Sequence, residues 1–273
     1  MTLDNHAFRY VQQLVRERSA IVLEEGKQYL VETRLSELAR REQYASAQDV
    51  VDRLRAAPQG PLQRKVIEAM TTTETLWFRD IKPYDMLRTT LIPDMKARRA
   101  SERELVIWSC ACSSGQEPYS LAMLIRESFP ELATWKIRII ATDISTEMLE
   151  RTRTGAYNQL EVNRGLPVGY LTKYFIRDGL RWRVKPELQQ MLELRQLNLA
   201  SAQNMLPRAD IVLLRNVLIY FDLETRKQIY ARVRAAMRRD GALLLGTAES
   251  TANDDGFDAV RVAGTTYYRP RQA

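Results

Sequence analysis

The feature that most constrains this chain is an alternation of short apolar runs with helical patterns beyond residue 104. Residues 105–108, 137–142 and 211–214 are short and mostly apolar, which is typical of strands buried on both faces. Helical patterns follow the first two runs, over about 117–127 and 144–152. Strands that alternate with helices in this way predict a parallel sheet with crossover helices.

A segment of about 155–192 interrupts the alternation. Residues 174–177 and 180–184 flank Asp178-Gly179, a pair that suits a type I′ turn, so the sequence predicts an antiparallel hairpin here. We therefore expect an α/β fold with a small antiparallel β-subdomain inserted into the parallel sheet.

The carboxyl-terminal part resumes the alternation. A helix over about 224–238 ends at Asp240-Gly241 in this interpretation, and a strand follows at 242–246. Two last strands, at 257–262 and 265–268, predict an antiparallel hairpin at the edge of the sheet.

The first hundred residues have a helical pattern instead. Apolar residues at Phe8, Val11, Leu14 and Val15 keep a 3.6-residue period, and further helices are indicated over 29–38, after Ser46, over 62–70 and over 83–99. We expect an all-α amino-terminal domain at 1–80, a linker helix at 81–100, and an α/β domain at 101–273 with its insertion at about 155–192.

Histidine and cysteine are scarce among the 273 residues. The single histidine, His6, lies beside the amino terminus, which argues against a Ser-His-Asp triad, a Cys-His pair or a histidine-rich metal site. Cys110 and Cys112 are too close in sequence for an ordinary disulfide and are too few for a zinc site. We expect an activity that needs neither histidine nor a metal.

The charge and hydropathy of the chain give weaker constraints. A net charge of +7 without a separate basic block favours an anionic partner only slightly. No apolar run approaches the roughly 18 residues of a membrane span, and the first residues lack the apolar core of a signal peptide. We expect a soluble, cytoplasmic protein that is a monomer by default.

Polar residues follow the predicted strands at the sheet edge where ligands of open α/β sheets bind. After the first strand, residues 109–119 contain one glycine, Gly115, instead of G-x-G-x-x-G, so a pyrophosphate ligand such as NAD or FAD is disfavoured. A nucleoside ligand without phosphates suits this loop better. Glu117 either receives a cationic group of that ligand or is favoured at a helix start by the helix dipole.

Three further strand ends carry comparable residues. Asp143 suits the hydroxyl groups of a ribose, although a helix N-cap is the alternative. Asn198-Leu199 and Asn216-Val217 each combine an amide with an apolar neighbour, as an adenine edge and face require, and ordinary turns are the alternative. Four such residues at strand ends favour a binding site.

Several segments of the sequence carry a resemblance to one family. The chain resembles the CheR family, the chemotaxis receptor protein-glutamate O-methyltransferases, over about residues 5–270. The segments that carry it are TETLWFRD at 73–80, WSCACSSGQEPYS at 108–120, ATDI at 141–144 and RNVLIYF at 215–221. The resemblance implies a helical amino-terminal domain and a Rossmann-like domain that binds S-adenosylmethionine (SAM), with a small antiparallel β-subdomain.

The resemblance also implies site residues and a reaction. The residues expected to line the SAM site are Thr73, Thr75, Arg79, Glu117, Asp143, Asn198, Leu199, Asn216 and Val217. Family members often carry Asn where Thr73 stands. The implied reaction methylates glutamate side chains of chemoreceptors and yields S-adenosylhomocysteine (SAH). Our hypothesis is that Arg79 steers a carboxylate and Tyr220 orients the acceptor.

The implied partner is the cytoplasmic helical bundle of methyl-accepting chemotaxis receptors, with neither nucleic acid nor membrane insertion. Arginines on the second and third predicted helices suit its acidic side chains, although a solvated helix face is the alternative: Arg34, Arg40, Arg41, Arg53 and Arg55. Two other functions stay open at this point. One is a SAM-dependent methyltransferase of nucleic acid or a small molecule, and the other is a non-catalytic SAM-sensing module.

Overall fold

The computed structural model describes residues 3–201, 208–252 and 254–271. The described chain divides into two compact units. The first holds the described residues up to Thr72 together with Tyr220–Thr225, and the second holds those of Thr73–Ile219 and from Arg226 onward. Residues 73–80, which the sequence pattern placed with the helical domain, belong to the second unit, where the Phe78 amide donates to Ser120 Oγ.

The first unit is built from helices, as predicted. Their bounds are α1 Asn5–Ser19, α2 Gln28–Arg41, α3 Ala47–Ala56 and α4 Pro61–Ala69. The Asp4 side chain caps α1 and the Ser46 side chain caps α3, each by accepting a backbone N–H of the first turn. Fully buried Val11, Leu35 and Val51 belong to the core between these helices.

The second unit begins with a long helical stretch. It consists of α5 Lys82–Met86, a π-helical turn Leu87–Leu91 and α6 Ile92–Arg98, which confirms the helix predicted for 83–99. Pro93 is the second residue of α6, just after the π turn, and its lack of an amide hydrogen removes one α-helical hydrogen bond at this point.

The strands of the second unit form two sheets. In chain order they are β1 Glu104–Cys110, β2 Lys136–Asp143, β3 Ala156–Tyr157, β4 Phe175–Asp178, β5 Arg181–Val184, β6 Leu192–Gln196, β7 Ala209–Leu214, β8 Met237–Leu245, β9 Phe257–Val262 and β10 Thr265–Pro270. The larger sheet has the order β6-β2-β1-β7-β8-β10-β9. Its first five strands are parallel, and β10 pairs antiparallel with β8 on one side and with β9 on the other, which confirms the expected antiparallel hairpin at this edge.

The core of this sheet is apolar on both faces. Ile107 pairs in register with Ile139 on one side and with Ile211 on the other, and all three are fully buried. Helices α7 Gln116–Ser128, α8 Thr146–Thr154 and α12 Leu223–Ala236 follow β1, β2 and β7, respectively, along the chain. The parallel strands therefore have the order 3-2-1-4-5 of a Rossmann-like sheet, and the crevice at its switch point lies between the carboxyl ends of β1 and β7.

The smaller sheet is the predicted inserted β-subdomain. It has the order β3-β5-β4 and is accompanied by α9 Gln159–Asn163, α10 Val168–Tyr174 and α11 Pro186–Gln189. The prediction of its turn was wrong by one residue. Asp178 pairs with Arg181, so the loop is Gly179-Leu180, and positive φ at Gly179 alone is the pattern of a type II′ turn.

The predicted break at Asp240-Gly241 was also wrong, because both residues lie inside β8. Between the pairs Ala209–Met237 and Ile211–Ala242 the register shifts, so β8 bulges against β7. A Cβ on Gly241 would lie 2.9 Å from the Arg238 carbonyl oxygen and 3.0 Å from that of Asp210. The glycine therefore permits a close approach of two strands where the sequence pattern indicated a turn.

Candidate functional site

The loop after β1 has an unusual backbone. Ala111, Ser113 and Gly115 have φ values of +51°, +51° and +94°, so alternate residues lie in the left-handed region. The Ser113 amide donates to Asp143 Oδ2 (2.8 Å), and the Ser113 hydroxyl donates to the Thr73 carbonyl oxygen (2.6 Å). A side chain from one segment and a backbone carbonyl group from another thus hold a strained backbone, as is common at binding sites.

Asp143 ends β2 and connects two loops. Its Oδ2 accepts from the Ser113 amide and its Oδ1 from the Ser145 amide (2.8 Å), and its side chain is buried. The N-cap of α8 is Ser145, whose hydroxyl accepts from the Met148 amide (3.2 Å). Asp143 is therefore not the N-cap of this helix, and its carboxylate is fixed beside the loop after β1.

Glu117 lies in the first turn of α7 and forms a buried ion pair. Its Oε2 accepts from the Arg215 guanidinium (2.9 Å), and its Oε1 accepts from the Ser109 hydroxyl (2.7 Å). Burial raises the pKa of the Glu117 carboxyl above its ordinary value, and the charge of Arg215 partly offsets this rise. Because β1 and β7 are neighbours, the pair spans the crevice at the switch point.

Arg215, the first residue of the RNVLIYF segment, organises a second loop. Its NH2 group donates to the Arg79 carbonyl oxygen (2.7 Å) and to Asp80 Oδ2 (2.9 Å). That loop is also strained, with φ values of +47° at Phe78, +70° at Asp80 and +47° at Ile81. Among the described residues, the buried Nε of Arg215 has no hydrogen-bond partner.

Arg79 presents its side chain differently from Arg215. Its backbone is held by Arg215, whereas its half-buried guanidinium makes one long contact, 3.5 Å, to the Glu74 carbonyl oxygen. Within the described part of the chain it has no carboxylate within ion-pair distance. A guanidinium in this state has donors to offer an incoming anion.

The segment after β6 lies directly beside Asp143. The Leu197 amide donates to the Asp143 carbonyl oxygen (2.9 Å), which places Asn198 next to the end of β2. The side chain of Asn198 accepts from the Ala200 amide (2.9 Å), the contact of a local turn, and the Leu199 carbonyl oxygen accepts from Arg232 (3.0 Å).

The loops after β7 and β8 meet at Glu249, which the sequence pattern did not mark as a site residue. Asn216 has a φ of +58°, and its amide donates to Glu249 Oε2 (2.8 Å). The amides of Val217 and Leu218 donate to Glu249 Oε1 (2.9 and 2.7 Å), and the Gly246 amide donates to Oε2 (2.8 Å). No sequence signal marks a carboxylate whose partners are backbone groups.

The structure brings most of the expected site residues to one edge of the second unit. Contacts connect Thr73 with Asp143 through Ser113, and Glu117 with the Arg79 backbone through Arg215. The Thr75 side chain has no polar contact among the described residues. Tyr220 belongs to the first unit, where its carbonyl oxygen accepts from the Val22 amide.

Two family models match the chain. The CheR methyltransferase, SAM binding domain matches residues 73–266, and the CheR methyltransferase, all-alpha domain matches residues 6–71. The chain belongs to the CheR methyltransferase family. It is therefore a methyltransferase whose cofactor is SAM, and the helical and α/β parts expected from the resemblance are both confirmed.

Curated relatives extend over nearly the whole chain. It is 40% identical over 254 residues to chemotaxis protein methyltransferase Cher2 of Pseudomonas putida, covering 92% of each chain. It is 38% identical over 276 residues to chemotaxis protein methyltransferase 1 of Pseudomonas aeruginosa, covering 99% of this chain and 100% of the relative. These CheR relatives are chemotaxis proteins, in agreement with the resemblance.

Solved structures give a more distant likeness. The glycopeptide N-methyltransferase MtfA in complex with SAM is 17% identical, with a TM-score of 0.35, over 65% of this chain and 57% of the other. A likeness of this degree adds nothing to the CheR assignment.

The residues present fit SAM. The crevice of this CheR chain combines the Glu117 and Asp143 carboxylates with a guanidinium at Arg79, and SAM carries a cationic centre, sugar hydroxyls and a carboxylate. The strained loop after β1 has a single glycine, which agrees with a ligand that has no phosphates.

Among the described residues, no helix combines the length and the apolar character that a membrane crossing needs.

Proposed function

We propose that this CheR chain transfers the methyl group of SAM to glutamate side chains in the cytoplasmic domains of chemoreceptors. The products are glutamate methyl esters and SAH. The observation that carries the proposal is the Arg79 guanidinium, which has no carboxylate within ion-pair distance among the described residues, although its charge helps to lower the pKa of buried Glu117, and which stands on a loop fixed by Arg215. An anion receptor next to a site for a cation suits the meeting of a carboxylate with SAM. The family and the names of the curated relatives support the chemotaxis substrate.

The cofactor contacts are proposed as follows. Asp143 accepts hydroxyl groups of the ribose, and Asn198 with Leu199 receives the adenine, because the Leu197–Asp143 hydrogen bond puts these segments side by side. Glu117 supplies negative potential for the cationic part of SAM, even though its oxygens also bond Ser109 and Arg215. The remaining contacts are proposed from the resemblance: Thr73, Thr75, Asn216 and Val217.

The reaction needs no general base. SAM supplies a methyl group on positively charged sulfur; a glutamate oxygen forms the new bond to its carbon, and the electrons of the broken carbon–sulfur bond stay on sulfur. A glutamate with a pKa of about 4.3 is already ionised at neutral pH. Arg79 holds a carboxylate, either that of the substrate or that of the methionine part of SAM, and Tyr220 orients the acceptor. Alignment of this kind lowers the activation barrier of well-oriented reactants by on the order of 7–11 kcal/mol.

The first unit is proposed to bind the acidic helical bundle of the receptor. Of the arginines considered for this role, Arg34 is partly buried and donates to the Met70 carbonyl oxygen (2.6 Å), so it contributes to the fold of the unit. Arg53 pairs with Asp49 and lies 4.9 Å from the Tyr44 ring centroid. Exposed Arg40 and Arg41 on α2 are better suited to a partner. We propose a cytoplasmic location from this substrate.

Methyl-labelled SAM tests the proposal directly. The chain is incubated with a chemoreceptor cytoplasmic fragment, with the same fragment carrying Gln at its methylated positions, and with RNA. We expect label on the first fragment that mild base releases, because methyl esters are base-labile. Label on RNA, label on the Gln fragment, or SAM binding without transfer would each contradict the proposal.

A further inference from the structure

The Glu249 carboxylate occupies a cradle of backbone N–H groups. Each of its oxygens accepts two: Oε1 from Val217 and Leu218, and Oε2 from Asn216 and Gly246. All four distances lie between 2.7 and 2.9 Å, in the range of hydrogen bonds to a charged acceptor. Successive N–H groups that follow a left-handed residue form an anion-binding concavity, and here the anion belongs to the chain itself.

The cradle shapes the loop that ends β7. Asn216 has a φ of +58°, in the left-handed region that asparagine adopts more readily than most other non-glycine residues. The two hydrogen bonds on either side of this residue, from the Asn216 and Val217 amides, end on the two oxygens of one carboxylate. Glu249 therefore fixes the backbone on which both side chains stand.

Gly246 shows that the arrangement requires space. A Cβ at this position would lie 2.7 Å from Glu249 Oε2, 2.7 Å from the side-chain nitrogen of Asn216 and 2.8 Å from its backbone nitrogen. A side chain there would therefore have to displace the carboxylate, the Asn216 side chain or the loop backbone. The end of β8 is thus shaped to let Glu249 reach the loop after the neighbouring strand β7.

We propose that Glu249 is a positioning residue for cofactor binding, which acts by holding Asn216 and Val217 in place. The inference rests on the proposed contacts of those two residues with SAM. Because Glu249 uses the amides of residues 216–218, these groups are not donors for the cofactor or for a substrate carboxylate. The cofactor meets the side chains and carbonyl groups of this loop instead.

Calorimetric titration with SAH tests this role in four variants. Glu249→Gln keeps the size of the side chain but places an NH2 group against two N–H donors, and Glu249→Ala empties the cradle. Asn216→Ala removes a proposed contact. Glu161→Gln is the matched control, because the Glu161 carboxylate also accepts a backbone amide, that of Asn158, but in the inserted β-subdomain.

We expect the dissociation constant for SAH to rise about tenfold or more in both Glu249 variants and to stay within twofold in Glu161→Gln. Acetate at high concentration should refill the cradle and restore affinity in Glu249→Ala but not in Asn216→Ala. Unchanged affinity in Glu249→Gln would overturn the inference, as would a loss in Glu249→Ala that acetate does not reverse. If Asn216→Ala binds SAH with the affinity of the parent, the proposed contact of Asn216 with the cofactor is wrong. If the parent itself does not bind SAH, the proposed function is wrong.

Discussion

Two buried arginines lie at opposite ends of the parallel strands of the larger sheet and have different roles. Arg99, at the amino ends of the strands, bonds carboxylates through all three of its guanidinium nitrogens: Nε to Asp210 (2.6 Å), and NH1 and NH2 to Asp240 (3.0 and 2.6 Å). Arg215, at the carboxyl ends, has two nitrogens bonded, while its Nε has no partner among the described residues. Their side chains are 6% and 2% exposed, so burial does not distinguish them.

The surroundings of the two arginines explain the difference. Asp210 lies in β7 and Asp240 in β8. The second oxygen of Asp210, Oδ2, accepts from the Val106 amide of β1. Arg99 and the two aspartates therefore join regular elements. Arg215 instead ties a loop with positive φ at Phe78, Asp80 and Ile81 to the start of α7. The buried Nε of Arg238 beside Asp210 also has no hydrogen-bond partner among the described residues, so the backbone decides: regular elements around Arg99 indicate a structural role, whereas strained loops around Arg215 indicate a binding site.

Substitution of Arg99 should give the largest effect on stability. Arg99→Met removes the shorter of the two ion pairs of fully buried Asp210, which keeps a longer one to Arg238 (3.3 Å), so we expect a loss of about 3 kcal/mol in the free energy of unfolding. Urea denaturation measures it, with Arg98→Met, a more exposed arginine, as the control that should lose less than about 1 kcal/mol. Turnover per folded molecule should not change; a large loss of turnover in folded Arg99→Met would contradict the comparison.

Arg79 should show the opposite behaviour. Arg79→Ala removes a half-buried guanidinium without a carboxylate partner, so we expect turnover to fall about 100-fold, or about 2.7 kcal/mol, while the unfolding free energy changes by less than about 0.5 kcal/mol. Arg164→Ala is the matched control, since this nearby arginine pairs with Glu74 on the surface. Equal turnover in the parent and Arg79→Ala would remove Arg79 from the mechanism.

Substitutions of two glycines, Gly115 in the strained loop after β1 and Gly179 in the inserted hairpin, allow these two regions to be compared. A Cβ at Gly115 would lie 2.7 Å from Thr152 Cγ2, whereas a Cβ at Gly179 would have open space around it, and both residues have positive φ. We expect Gly179→Ala to cost about 1 kcal/mol for the backbone alone and Gly115→Ala to cost at least about 2 kcal/mol. Equal losses in thermal unfolding would show that the site loop is not tightly held.

The smallest effect concerns pH. Burial raises the pKa of Glu117 in the folded chain, so the folded state binds a proton that the unfolded state has released. The contribution of this group to stability is therefore present below its ordinary pKa of 4.5 and is lost as pH rises above it, with a slope of at most about 1.4 kcal/mol per pH unit. Stability of the parent should decline relative to Glu117→Gln in this window, and a parallel pH dependence would contradict the assignment.

The sequence predicted the elements better than their junctions. Runs such as residues 211–214 are apolar throughout because parallel strands are buried on both faces, so their position could be seen. Asp178-Gly179 admits two turn registers, and only the pairing of Asp178 with Arg181 selects between them. The early start of β8 was hidden because its charged residues bond Arg99 and other distant groups.

The candidate site was predictable only in part. Glu117 and Asp143 could be found because each follows a strand at the expected edge of the sheet. Arg215 and Glu249 could not, because their partners lie far along the chain or in the backbone and leave no local pattern. The contacts that hold the site together are thus the ones that a sequence pattern hides.

We propose that the loops at the carboxyl ends of the parallel strands bind the cofactor. Calorimetric titration of SAH into the parent and into Asp143→Ala measures this binding, with Asp258→Ala, at an exposed aspartate, as the control. We expect saturable heat with the parent and the control, and a dissociation constant at least about tenfold higher in Asp143→Ala. No heat with the parent, or the same affinity in Asp143→Ala, would contradict the claim.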